Sequence, residues 1–169
     1  SFIIGNSTTA ATDLAISAVI SGGSAVNLLK TGTGTLALTG VNTYTGTTSI
    51  QDGTITVASL ANVATASSLG APALAQATLA LGSTTTTGTL HYTGTGDTTN
   101  RAVNLAGTTG GATLDASGSG ALTFTSAFTA TGAGSKTLTL TGTNTDANTL
   151  SGAIVNNSGT NRTSLVKTG

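Results

Sequence analysis

The chain contains no cysteine, tryptophan, methionine or glutamate in 169 residues, and its single proline is Pro72. Without cysteine it can form neither a disulfide nor a thiolate metal site. Charged residues make up 6% of the chain, against about 25% in ordinary globular proteins. The five bases are scattered along the sequence, whereas binding to nucleic acid phosphates needs clustered Lys and Arg. We therefore expect no nucleic acid partner.

Long apolar runs are also absent. No run approaches the roughly 18 residues that a transmembrane helix needs. The first residues, SFIIGNSTT, lack the charged start and apolar core of a signal peptide. We expect no membrane insertion by this segment, and any export signal would lie outside it.

The residues that are abundant favour short β-strands. Apolar residues alternate with small polar ones at intervals of roughly 9–15 residues, which is the period-two pattern of half-buried strands. Gly, Asn, Ser and Asp separate these segments. Typical examples are Leu36-Ala37-Leu38, Thr54–Val57, Leu90-His91-Tyr92 and Leu138-Thr139-Leu140.

One stretch departs from this pattern. Residues Ala58–Ala80 are rich in Ala and Leu and include Pro72. We interpret residues 58–80 as an irregular excursion, with one helical turn near Leu60–Ala64. Because the strand pattern resumes at Leu79, a domain boundary here is disfavoured.

Internal repetition separates the possible architectures. Many short strands are compatible with a sandwich, a barrel or a solenoid. The hexapeptide Asn27–Gly32, NLLKTG, returns as Ser164–Gly169, SLVKTG. A solenoid explains such a restart, because each coil needs a neighbour to cover its core and pair its strands. We predict that residues 1–169 form one solenoid segment, in which residues 164–169 start a next repeat.

The predicted fold class is all-β: a right-handed parallel β-helix, or β-solenoid, with little or no helix. At about 20–25 residues per coil the chain would make about 7–8 coils. Stacked like charges repel, whereas stacked Thr and Asn can form hydrogen-bonded ladders, so the low charge content agrees with this fold.

The stretch Leu28–Val57, LLKTGTGTLALTGVNTYTGTTSIQDGTITV, carries a specific resemblance. It is similar to the autotransporter-associated β-strand repeat, also called the passenger-associated transport repeat. The resemblance implies a parallel β-helix in the exported passenger of a long bacterial surface protein, and it brings no catalytic residues. The positions that match the repeat are Leu28, Lys30, Gly32, Gly34, Thr35, Leu36, Leu38, Gly40, Asn42, Thr43, Tyr44, Gly46, Thr48, Ile50, Gly53 and Ile55.

Candidate sites for chemistry are sparse. His91 is the only histidine, and we expect it to be a surface side chain, since a zinc site needs further ligands. Coil stacking could bring Asp97 and Asp115 together as a glycosidase-like pair or a calcium site. Turn formation explains Asp52-Gly53 and Asp97 better. We predict no catalytic residue, cofactor or metal.

Two further features have structural interpretations. Tyr44 is expected to pack over the neighbouring coil with its hydroxyl outward. Repeated Thr-x-Thr pairs, such as Thr54/Thr56, could bind ice if they stacked on one flat face. Their irregular spacing favours ordinary strands with polar outer faces.

The sequence thus favours a structural repeat segment of a bacterial cell-surface or extracellular filament. We expect it to stack end to end on copies of itself or on adjacent repeats of the same chain. The alternatives are an adhesin passenger that binds surface glycans, a polysaccharide-active β-helix enzyme and an ice-binding protein. The predicted end contacts are Phe2, Ile3 and Ile4 at one end and Ser164, Leu165 and Val166 at the other.

Overall fold

Short strands account for nearly all of the regular structure. The computed structural model describes all of residues 1–169. Threonine, valine, isoleucine and leucine fit the pleated, half-buried surface of a strand, and glycine-containing turns end most strands. The strands are β1 (Phe2–Ile3), β2 (Leu14–Ile16), β3 (Leu28–Thr31), β4 (Thr35–Leu38), β5 (Thr48–Ile50), β6 (Gly53–Val57), β7 (Leu79–Leu81), β8 (Gly88–Tyr92), β9 (Thr95–Thr99), β10 (Val103–Leu105), β11 (Ala112–Ala116), β12 (Gly120–Phe124), β13 (Thr129–Ala130), β14 (Lys136–Thr141), β15 (Thr149–Leu150) and β16 (Thr163–Lys167).

The strands form three sheets in which every pairing between named strands is parallel. One sheet has the order β1-β3-β5-β7-β10-β13, and a second has the order β2-β4-β6-β8-β11-β14-β16. A third contains β9, β12 and β15. Successive strands of the chain alternate between sheets, so each coil adds one strand to each of two or three faces. These features confirm the predicted all-β parallel solenoid and agree with a right-handed β-helix.

The number of strands in the seven-stranded sheet gives the number of coils. Its seven strands give seven coils, which agrees with the predicted number. The coils differ in length. Thr35 pairs with Thr54, 19 residues further on, whereas Gly53 pairs with Gly88, 35 residues further on.

The core is a set of apolar columns inside the stack. Leu36, Ile55, Leu90 and Leu114 pair in sequence across β4, β6, β8 and β11, and all four are buried. Alternate residues of each strand point to opposite faces, so every second position contributes to the interior. No residue before Leu28 or after Leu138 is buried. Full burial is therefore confined to the inner coils, since each coil needs a neighbour on both sides.

The longest coil contains the Ala-rich excursion. A 3-10 helix at Leu74–Gln76 is the only helical element of the structure. The expected helical turn near Leu60–Ala64 is wrong. A turn at Asn62–Thr65 is found instead, closed by Thr65 N–H donating to Asn62 O at 3.1 Å, and Ala64 has a φ of 62°. Leu60 and Leu69 are fully buried, so the excursion packs into the core. The assignment of the chain to one solenoid segment stays a prediction.

Candidate functional site: the repeat, its buried cations and the ends of the stack

The repeat segment Leu28–Val57 covers two neighbouring coils. Strands β3 and β4 belong to one coil, and β5 and β6 belong to the next. The turn at Gly53 explains why glycine is needed there: its φ is 67°, and a Cβ would lie 2.5 Å from the carbonyl oxygens of Gly32 and Gly34. The side chain of Asp52 accepts a hydrogen bond from Gly53 N–H at 2.9 Å. The turn role expected for Asp52-Gly53 is confirmed, whereas the same role expected for Asp97 is wrong, because Asp97 lies inside strand β9.

Lys30 is a buried cation held by backbone carbonyls. Its side chain is inaccessible to solvent. The ammonium donates to Thr31 O at 3.0 Å, to Gly32 O at 2.6 Å and to Asp52 O at 3.1 Å. Burial lowers the pKa of Lys30, opposed by the charges of Asp52 and Asp13. Because Asp52 belongs to the following coil, the ammonium links two coils through their main chains.

Lys136 repeats this arrangement near the other end. It is also buried, and its ammonium donates to Gly107 O in the preceding coil and to Ala133 O at 2.8 Å. Burial lowers its pKa. A buried charge is costly unless polar groups compensate it, and carbonyl dipoles supply that compensation here.

Arg101 ties the excursion to the stack. Its guanidinium donates to Ala61 O at 3.0 Å, Leu69 O at 2.6 Å and Gly70 O at 2.8 Å. It also donates to the Ser67 hydroxyl at 3.1 Å. Only 2% of the residue is exposed, and burial lowers the pKa of Arg101 to about 10. The planar guanidinium can satisfy several acceptors at once, which fixes an otherwise irregular loop.

Asn42 links three successive coils. Its Oδ1 accepts from Ile20 N–H at 2.8 Å, and its Nδ2 donates to Ser68 O at 2.6 Å. Its own N–H donates to Ser67 O at 2.8 Å. The residue is 1% exposed. The Asn of the repeat is therefore an internal bridge.

Tyr44 is buried with its hydroxyl inside the stack. It is inaccessible to solvent, and its hydroxyl lies 2.8 Å from Thr48 Oγ1. The expectation of an outward hydroxyl is wrong, because Thr48 offers the phenol a partner inside the repeat. Burial raises the pKa of Tyr44 to about 12. Tyr92 is likewise buried, donates to Asp97 at 3.0 Å, and has a pKa raised by burial to about 12.

The structure separates the two candidate acids but places His91 beside one of them, since His91 in β8 pairs with Asp115 in β11. His91 lies half-buried on the outer face of β8, with Nδ1 3.2 Å from Thr56 Oγ1. Asp97 lies in β9 and Asp115 in β11, which belong to different sheets. Asp97 accepts from Leu60 N–H as well as from Tyr92, and Asp115 accepts from Ser117. Coil stacking therefore does not form the carboxylate pair considered from the sequence.

A threonine column runs along the outer face of the seven-stranded sheet. The column contains one threonine in each of five successive coils, and its members pair in sequence: Thr35, Thr54, Thr89, Thr113 and Thr139. The adjacent outer column is mixed and contains Thr56, His91 and Asp115 in paired positions. Because the coils differ in length, these threonines are unevenly spaced in the sequence and their alignment cannot be seen there. It forms an uncharged, hydroxyl-rich strip, which we call the threonine column.

The predicted end residues lie in different sheets. Phe2 and Ile3 form β1 in the six-stranded sheet, whereas Ser164–Val166 belong to β16 in the seven-stranded sheet. Ile3 is 80% exposed and Leu165 is 55% exposed. The similar hexapeptides also differ in place, since Leu28–Thr31 is in the six-stranded sheet. The end-to-end contact itself stays a prediction.

A cavity of about 130 Å³ opens at the β16 end of the stack. It lies between the inner faces of the seven-stranded and three-stranded sheets. Its apolar lining includes Leu114, Ala116, Leu122, Phe124, Leu140 and Leu150, and Lys167 lies at its edge. The structure has no helix whose length and apolar character would let it span a bilayer.

Comparisons with known proteins agree with this architecture. Residues 28–57 match the passenger-associated-transport-repeat family. A 54-residue stretch is 41% identical to the adhesin BmaC autotransporter of Brucella suis biovar 1 (strain 1330). That match covers 32% of this chain and 2% of the adhesin. No solved structure matches the chain. The repeat and the adhesin relative imply an extracellular or cell-surface location, and the chain carries, at Leu28–Val57, a passenger-associated transport repeat of the kind found in autotransporter passengers.

Proposed function

We propose that this chain is a non-enzymatic structural segment of a surface passenger, which stacks end to end with adjacent repeats or with copies of itself. The observation that carries this proposal is the loss of burial at the outer coils: no residue before Leu28 or after Leu138 is buried. A further coil at either end would cover apolar side chains and pair the open strand edges.

The contacts of the buried cations support a structural role. Lys30, Arg101 and Lys136 all donate to backbone carbonyls of neighbouring coils or of the excursion. These contacts fix one coil on the next and leave none of the three cations free to meet a substrate. Asp97 and Asp115, the acids considered for catalysis, are engaged by Tyr92 and Ser117 and lie in separate sheets.

A tandem fusion of two copies tests the stacking. If the second copy covers β16 of the first, the fused protein should resist urea better than the single chain, because nearest-neighbour interfaces add stability in solenoids. Equal unfolding midpoints for the fusion and the single chain would contradict end-to-end stacking.

Leu165→Asp provides the matched control. Leu165 is 55% exposed in the single chain, so the substitution should cost that chain about 1 kcal/mol, which is less than the loss of a fully buried leucine. In the fusion it would bury a charge at the junction and remove the gain in stability. A fusion gain that survives Leu165→Asp would show that the stabilisation arises elsewhere.

The threonine column favours a second candidate function, which is binding of a neutral glycan along the outer face. The adhesin name of the relative supports this candidate, and the hydroxyls of Thr89 and Thr113 lie next to His91 and Asp115 in the paired columns. A glycan array with wild type and with Thr89→Val/Thr113→Val tests it. We expect the double variant to lose any bound glycan. A Thr98→Val/Thr123→Val variant, altered on the three-stranded sheet, should retain it.

A further inference from the structure

The chain contains one Asp-Gly sequence, Asp52-Gly53, at the start of β6. An aspartate that precedes glycine can react with its own main chain, because no side chain shields the following nitrogen. That nitrogen attacks the side-chain carboxyl carbon, water leaves, and a succinimide ring forms. The other four aspartates precede Leu, Thr or Ala, so this chemistry singles out Asp52.

The side chain of Asp52 is folded over the nitrogen with which it would react. Gly53 N–H donates to Asp52 Oδ1 at 2.9 Å, which holds the carboxyl group against this nitrogen. Both residues are half-buried, so water can reach them. Holding two reacting groups together in this way removes much of the entropic cost of their reaction.

The buried ammonium of Lys30 lies on the same peptide group. It donates to Asp52 O at 3.1 Å, the carbonyl oxygen of the peptide bond that Gly53 N completes. A cation at this oxygen stabilises the negative charge that develops when Gly53 N loses its proton and attacks. It also makes the main-chain carbonyl of the succinimide more electrophilic than the side-chain carbonyl.

This polarisation sets the direction in which the ring opens. Water adds to the main-chain carbonyl carbon of Asp52, the bond from that carbon to Gly53 N breaks, and Gly53 N stays attached to Asp52 Cγ. The product is an isoaspartyl bond. The former main-chain carbonyl becomes a carboxylate and the former side-chain carboxylate becomes an amide, so the net charge is unchanged.

The product supplies Lys30 with a charged partner. The side chain of Lys30 is inaccessible to solvent, and the three acceptors of its ammonium are neutral carbonyls. Isomerisation turns one of these three, Asp52 O, into a carboxylate oxygen. A charge-assisted hydrogen bond is roughly twice as strong as a neutral one, and an opposite charge nearby stabilises a buried cation. The ammonium therefore favours the isoaspartyl product over a return to aspartate.

We propose that Asp52 is a site of spontaneous modification, at which the Asp52-Gly53 bond isomerises through a succinimide and the new carboxylate pairs with Lys30. One water leaves and one water returns, so the reaction needs no other reagent. The proposal goes beyond the structural role of the segment and does not depend on stacking.

Incubation of the folded chain in heavy-oxygen water, followed by digestion with endoprotease Asp-N, tests the proposal. This protease cuts before aspartate and not before isoaspartate. Cleavage before Asp52 should be lost with time, with uptake of one heavy oxygen, while cleavage before Asp13, Asp97, Asp115 and Asp146 persists. The same chain unfolded in urea is the comparison, and the folded chain should convert at least as fast. Conversion in urea without conversion in the folded chain would overturn the proposal.

Lys30→Met tests the part played by the ammonium. Loss of a charge-assisted hydrogen bond should slow the conversion by about 10-fold or more. Lys136→Met is the matched control, because it removes a buried ammonium that contacts Gly107 O and Ala133 O instead of Asp52 O, and it should leave the rate unchanged. A Lys30→Met variant that converts as fast as wild type would overturn the assigned pairing.

Asp52→Asn measures the direction of ring opening separately. Its Asn-Gly sequence forms the same succinimide by losing ammonia, and Asp-N digestion then reports the ratio of isoaspartate to aspartate. The folded variant should give a higher ratio than the same variant in urea, because only the folded chain holds Lys30 on Asp52 O. Equal ratios in the two conditions would overturn the role of Lys30 in directing the reaction.

Discussion

Replacing Arg101 by methionine removes the cation that holds the excursion, while keeping a side chain of similar length. Four acceptors lose the guanidinium: the carbonyls of Ala61, Leu69 and Gly70, and the hydroxyl of Ser67. Three of them keep another donor, and Leu69 O is left without one. A hydrogen bond to a charged group contributes about 1.5–3 kcal/mol, and an acceptor left unpaired in the interior costs about 1–3 kcal/mol. Removing the buried charge also removes its desolvation penalty, and water can enter to bind the acceptors. Both effects offset part of this cost. We expect a net loss of about 3 kcal/mol in the free energy of unfolding.

Urea denaturation measures this loss. With a slope of about 2 kcal/mol per molar urea, a loss of about 3 kcal/mol lowers the midpoint by about 1.5 M. Hydrogen exchange should locate the effect, with faster exchange in residues 58–78 than in β11 or β12. Arg162→Met is the matched control, since Arg162 is exposed, and it should change stability by about 0.5 kcal/mol or less.

Two results would refute the reasoning about Arg101. The first is a loss of less than about 0.5 kcal/mol, because that is the size of an ordinary surface substitution. The second is a large loss with unchanged exchange in residues 58–78, because the guanidinium would then stabilise something other than the excursion.

The remaining predictions concern the other internal contacts. Burial raises the pKa values of Tyr44 and Tyr92 from 10 to about 12, so the unfolded chain releases these protons first and the free energy of unfolding should fall between pH 10 and 12. Phenolate absorbance should follow the same range, and titration of both tyrosines near pH 10 in the folded protein would contradict it. Asn42→Ala should cost about 2 kcal/mol, because it leaves Ile20 N–H and Ser68 O without their partner. Exposed Asn6 is the control for Asn42, and equal urea midpoints for Asn42→Ala and Asn6→Ala would count against the bridge. Lys30→Met should cost about 2 kcal/mol by depriving three carbonyls of a donor, and a stabilised variant would show that burial of the ammonium outweighs its hydrogen bonds.

The fold was accessible from the sequence because its pattern is local. Alternation at segments such as Leu36–Leu38 defines the strands, and the repeat at Leu28–Val57 implies parallel stacking. The register, meaning which residues pair between neighbouring coils, could not be predicted. Residues Ala58–Ala80 lengthen one coil, and no local sequence pattern indicates the length of that insertion. The threonine column depends on that register, so single Thr-x-Thr pairs could not reveal it.

The burial of the cations is the part of the site that composition does not predict. Lys30 was a repeat position, yet a carbonyl cage was not expected for it. A signal was present, since Lys30 and Lys136 each lie two residues from an inward-facing leucine, Leu28 and Leu138. Alternation therefore places both lysines inside the stack. Arg101 had no such signal, because its acceptors lie in an irregular segment 31 to 40 residues earlier.

The most direct test of the central claim is amide exchange at the junction between two units. Strand β16 should exchange quickly in the single chain, where it has one neighbour. We predict that residues Thr163–Lys167 of the first unit become strongly protected in the tandem fusion, because the second unit pairs their open edge. Equal exchange of these residues in the single chain and in the fusion would contradict the claim that this segment functions by being followed by another.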